Sequence, residues 1–141
     1  MGIISDFVVA TEEELRAFVG SRRGESGLPH HVVNGIMSEH VGALVEAAAE
    51  LTAGGETLEA AFDLGDDGPW GYRFPLATTR VLGGATREVR SELAIRWRAI
   101  DASARHEHGE LGEVCADLIL PICELAARVD GEHRLFLVIS I

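Results

Sequence analysis

Apolar residues change their spacing several times along the chain, and each change marks an element. Residues 2–9, GIISDFVV, are rich in β-branched and aromatic side chains and predict a strand. Thr11 then stands as an N-cap with Glu14 in the capping-box position. Leu15, Phe18 and Val19 supply an apolar stripe, and Gly20 closes the predicted helix. SRRGESG (21–27) is the most loop-like stretch. HVVNGIM (31–37) reads as a short extended segment feeding the next helix; Asn34-Gly35 is also a hairpin signal, with very short arms. From Ser38 as N-cap, Val41, Leu44, Val45, Ala48 and Leu51 or Thr52 recur at helical spacing until Gly54-Gly55.

The spacing then drops to two. Leu58, Ala60, Phe62 and Leu64 are expected to share one face, although Leu58, Ala61 and Phe62 also fit a helix over 56–62. After GDDGP, Trp70, Tyr72 and Phe74 alternate again, and the two runs around that turn predict a β-hairpin that Pro75 ends. In some registers Asp63 and Arg73 become cross-strand neighbours. LATTRVLGG fits one or two helical turns. Thr86 caps a helix with Val89, Leu93, Trp97 and Ile100 on its buried face and a Glu92–Arg96 pair on its surface. Residues 110–130 predict a helix with an apolar face wide enough to make it the most buried, kinked near Pro121. RLFLVISI closes the chain. Such an uncharged strand invites aggregation at an open edge, so it is expected inside the sheet, beside the N-terminal strand. The fold class expected is α+β: one domain over 1–141, with about four strands and four or so packed helices.

Composition narrows function more than fold. Twelve arginines, no lysine and 23 acids leave a formal charge of −11. Such a surface repels nucleic acid, which needs clustered cations, and favours a basic protein partner. The opening segment has no basic region before its apolar run, and no run reaches membrane-spanning length, so neither a secretory signal nor a membrane partner is expected. Cys115 and Cys123, if on one helix, stand roughly 12 Å apart, too far for a bridge. A reduced, cytoplasmic setting is the expectation.

Candidate chemistry is sparse. RHEHGE (105–110) holds His106 and His108, two apart, which on a helix would point roughly 200° away from one another. The metalloprotease pattern of two histidines four apart is missing, so a metal here needs distant ligands such as His30, His31 or His40. Without them the stretch is a polar connector, with Glu107 and Glu110 favoured near a helix N-terminus. LGDDGPWGYRFP is the second candidate. Asp66, Asp67, Trp70, Tyr72 and Arg73 could form a binding rim, carboxylates for a cation and aromatics for a flat ligand. The structural alternative is that the aromatics plug the hairpin into the core. VLGGAT (81–86) suits a loop and N-cap better than an anion cradle. No redox dithiol, nucleophile elbow or phosphate-binding loop motif occurs, so no catalytic residue and no cofactor is assigned.

The two ends, MGIISDFVVATEEELRAFV and ELAARVDGEHRLFLVISI, resemble small uncharacterised bacterial proteins of the YfbM-like kind. The resemblance implies an opening strand, an early helix, and a last helix running into a terminal apolar strand. It brings no site residues, and the middle of the chain departs from the pattern. Two functions are carried forward. One is a small acidic interaction module, for example an immunity-type inhibitor of a basic protein, with self-association left open. The other is a small-ligand protein or metal-assisted enzyme built on a His/Glu cluster, which requires at least three such side chains to converge.

Overall fold

In a computed structural model of the chain, residues 2–20, 27–52, 56–66, 68–104 and 109–141 are described. Five strands form one antiparallel sheet: β1 (Ile4–Ala10), β2 (His30–Asn34), β3 (Glu59–Asp63), β4 (Trp70–Arg73) and β5 (Arg134–Ser140), in the order β2-β1-β5-β4-β3. The helices are α1 (Glu12–Gly20), α2 (Ser38–Thr52), α3 (Leu76–Gly83), α4 (Arg87–Ser103) and α5 (Val114–Ala126). The α+β class holds. The strand beyond the expected four is β2, the extended stretch before α2, which pairs with β1 at the sheet edge.

The terminal strand lies in the middle, paired with β1 from Ile4↔Ser140 to Ala10↔Arg134 and with β4 from Trp70↔Ile139 to Arg73↔Phe136. That placement satisfies both backbone edges of an apolar segment, whose residues Leu135–Ile139 are all buried. Alternation along β1 and β5 divides the core. Phe7, Val9, Leu135, Leu137 and Ile139 pack under α2–α5 with Leu44, Leu93, Trp97 and Ile122. Val8, Ala10, Phe136 and Val138 face the other way, against Leu15 and Phe18 of α1.

Local signals explain the starts of α1 and α4. The Thr11 hydroxyl accepts the Glu14 N–H at 3.1 Å and Glu14 Oε1 accepts the Thr11 N–H at 2.9 Å, a complete capping box. Thr86 caps α4 by accepting the Val89 N–H. Three expectations change. The N-cap of α2 is Met37, whose carbonyl accepts from Val41, and not Ser38. His40, at the third helical position, reaches back so that its Nδ1 accepts the Met37 N–H at 2.9 Å. Helix α5 is shorter than 110–130, because Gly109 and Gly112 adopt left-handed φ of 79° and 59° before it. At its far end, Arg128 and Val129 close the turn onto the Leu125 and Ala126 carbonyls.

The hairpin is the third correction. Ala60 pairs with Tyr72 and Phe62 with Gly71, so a bulge falls at Ala61. The extra residue reverses the facing of the residues after it. Leu58 packs toward the helical layer and Phe62 toward α1, so the four residues expected on one face are divided. The same shift pairs Arg73 with Glu59, and Asp63 with Trp70. Gly71 is what admits Phe62: a Cβ there would sit 2.1 Å from the ring.

Candidate functional site

The hairpin residues do not assemble into one rim. Trp70 and Tyr72 are half-buried against the helical layer. Arg73 follows Tyr72 and projects from the other face, where its Nη1–H donates to Glu12 at 2.8 Å. Its Nε lies 3.1 Å from Glu59 Oε2 without hydrogen-bond alignment. Asp66 is exposed in the turn, and Asp67 lies outside the described residues. The aromatics thus plug the hairpin into the core, while Arg73 ties β3 and β4 to α1.

The histidines divide as well. His106 and His108, with Arg105 and Glu107, lie outside the described residues. His30 and His31 are consecutive in β2 and so face opposite ways. His30 Nδ1 stands 3.5 Å from Oδ1 of the buried Asp6, with the ring edge-on to Phe18. His40 is buried and acts as a structural clamp. Besides capping α2, its Nε2–H donates to the Gly109 carbonyl at 2.9 Å, while its own carbonyl accepts the Trp97 indole N–H at 2.8 Å. With Nδ1 accepting and Nε2 donating, both ring nitrogens are committed. Asp101, buried on α4, secures the same connector by accepting the Leu111 N–H at 2.7 Å. Burial pushes the Cys115 and Cys123 thiols up to about 12 and about 11, which keeps both protonated near neutrality. Among the described residues no group of three or more His, Cys, Asp or Glu side chains is placed to hold a metal ion. Nor is any helix among them long and apolar enough to cross a membrane.

What the packing does create is a groove of about 470 Å³ between α2 and the β3–β4 hairpin. Gly42, Val45 and Ala49 form its floor on α2, with Leu58 and Tyr72 as the opposite wall. Glu39, Glu46 and Glu56 rim it, and among the described residues no arginine lines it. Glu46 and Glu56 form no ion pair among those residues. Gly42 stands in the interior of a 15-residue helix, where glycine is roughly 1 kcal/mol less favourable than alanine. A Cβ there would meet nothing within 4 Å. Neither backbone geometry nor packing therefore requires glycine at this position.

Of the groove residues, the sequence singled out Tyr72 alone as a candidate for binding. The signal for the others was the recurrence of Gly42, Val45, Glu46 and Ala49 along one side of α2, which reads as an ordinary helix stripe until a strand edge stands beside it. Comparison of the chain with protein-family models, with curated proteins and with solved structures finds no match.

Proposed function

We propose that this protein is an interaction module that takes a basic, partly apolar segment of another protein into the groove between α2 and the β3–β4 hairpin. The observation that carries the reading is Gly42. A helix-interior glycine facing open space keeps the groove floor low enough for another chain to approach the α2 backbone. Charge selects the partner. Glu39, Glu46 and Glu56 surround an apolar floor, and the net charge of −11 attracts a cationic partner at long range. Arginine or lysine on such a segment would meet the rim, and its apolar side chains would lie on Val45, Ala49 and Leu58. An inhibitor of a basic protein, of the immunity type, is one form this activity can take.

The test uses defined probes. In ¹⁵N NMR titrations of the whole chain, amphipathic Arg/Leu peptides should give saturable shifts on α2 and β3–β4 that weaken as salt rises. Gly42→Leu should abolish those shifts by filling the floor. A glutamate-bearing peptide of the same apolar pattern should give none. Shifts scattered over the whole acidic surface, or unchanged by Gly42→Leu, would remove the groove from the reading.

A further inference from the structure

A second cleft, independent of the α2 groove, opens between α3, the end of α5 and the start of β5. Its volume of about 530 Å³ suits a small molecule. Charge of both signs lines it, on different elements. Arg80 is exposed on α3, and Arg134 opens β5. Arg134 donates one Nη2–H to the Phe74 carbonyl at 2.8 Å, while its buried Nε–H meets no acceptor among the described residues. Among those residues neither guanidinium is in an ion pair, in a chain where acids outnumber arginines 23 to 12. Burial, and then the neighbouring Arg73 charge, lower the Arg134 guanidinium from its usual range, while the charges of Glu59, Glu12 and Glu56 act in the opposite sense. An anion placed against it would add to those three in offsetting the first two effects.

Negative polarity stands on the other wall. Asp130 Oδ1 accepts from the Glu132 and His133 backbone N–H groups at 2.9 Å each, and pairs with His133 Nδ1 at 2.8 Å. Asp130 Oδ2 takes part in none of these contacts. Ala126 and Ala127, at the closing turn of α5, also line the cleft and bring the negative end of the helix dipole to it. The two helices approach at Gly83, where a Cβ would lie 3.0 Å from the Ala126 carbonyl oxygen, so their spacing is set by backbone contact.

We propose that this cleft binds a small zwitterion of the amino-acid class, its carboxylate toward Arg80 and Arg134 and its ammonium toward Asp130 and the end of α5. A simple anion would be drawn by the arginines and repelled by Asp130. A simple cation would meet the reverse. A ligand carrying both groups a few bonds apart is favoured on both walls.

The experiment is an NMR titration of the full chain with each common free amino acid, beside acetate, methylammonium and inorganic phosphate. At least one amino acid should shift residues 79–83 and 126–134 saturably, with a Kd below about 1 mM, and should bind about tenfold tighter than acetate or methylammonium. Arg80→Gln removes an exposed side chain, so the fold is retained, and it should weaken that binding by about tenfold. Asp130→Asn should narrow the gap between the amino acid and acetate. Acetate or phosphate binding as tightly as every amino acid would overturn the zwitterion. No saturable shift from any probe, or binding unmoved by Arg80→Gln, would overturn the site.

Discussion

Under α2–α5, the sheet buries an almost wholly apolar face, with Trp97, Leu44 and Ile122 packed over Phe7, Leu135 and Leu137. Among the described residues, the other face has one nine-residue helix as its cover, and its smaller cluster centres on Phe18, Leu15 and Phe136. Such a helix spans roughly 14 Å. Polar and charged contacts extend its reach: Arg73 to Glu12, and His133 to Glu14 at 3.3 Å. The contrast separates two ways of closing a sheet. A thick helical layer supplies area removed from water. A thin cover is held in place by pairs that are individually weak in water.

Mutations should reproduce that ranking. Trp97→Ala removes the largest fully buried side chain and the indole bond to the His40 carbonyl. It should destabilise by about 3–5 kcal/mol in chemical denaturation. Phe18→Ala, on the covering helix α1 itself, should fall at the low end of that range. Equal losses would mean that the two faces are held equally firmly. His40→Phe keeps the ring's bulk but strands the Met37 N–H and the Gly109 carbonyl. It should cost about 1–3 kcal/mol, accompanied by faster amide exchange near Met37 and Gly109. Gly42→Ala, whose new methyl meets open space, should raise stability by about 0.5–1 kcal/mol in the same assay. A loss there would mean that α2 tolerates no side chain at that point. Arg73→Met should change stability by less than about 1 kcal/mol, and salt should shrink the difference.

The smallest effect is a pH dependence. The bond to His133, then two backbone N–H groups, lower Asp130 to about 2. The same bond to Asp130 raises His133 from its usual range. A raised histidine stabilises the fold below its unfolded pKa, about 6.5, and that contribution fades as pH climbs through the folded value. A lowered carboxylate stabilises above about 3.9 and loses that contribution as pH falls toward its folded value of about 2. The pair is therefore at its strongest between those two limits. Melting temperatures of His133→Gln should vary less with pH above about 6.5 than those of the parent chain. Parallel profiles would mean that solvent screens the contact completely.

Elements whose signals lie within a few residues were legible. The Thr11–Glu14 box, the α4 stripe ending in Ile100 and the apolar β5 all stand where their patterns predict. The rest depends on partners far away in sequence. The bulge at Ala61 makes sense only beside Gly71, which leaves room for the Phe62 ring. His40 reads as a clamp only once Gly109, 69 residues later, offers its carbonyl. Trp70, Tyr72 and Arg73 look like one cluster in a row of letters, and alternation sends Arg73 to the opposite face. The α2 groove has no local signature, because one wall is a helix and the other a strand pair arriving from later in the chain.

The order β2-β1-β5-β4-β3 has a consequence for how the protein is made. Strand β5 stands between the β1–β2 pair and the β3–β4 hairpin, and both ladders onto it need residues 134–140. During vectorial synthesis the first four strands emerge as two separate pairs, and neither can propagate into a sheet. Joining them waits for the last strand, and the β1–β5 ladder then closes a loop of more than a hundred residues. That pairing gives the fold a high contact order and places its slow step at the sheet's centre. Until then, the edges of β1 and β4 that β5 will pair both stay open.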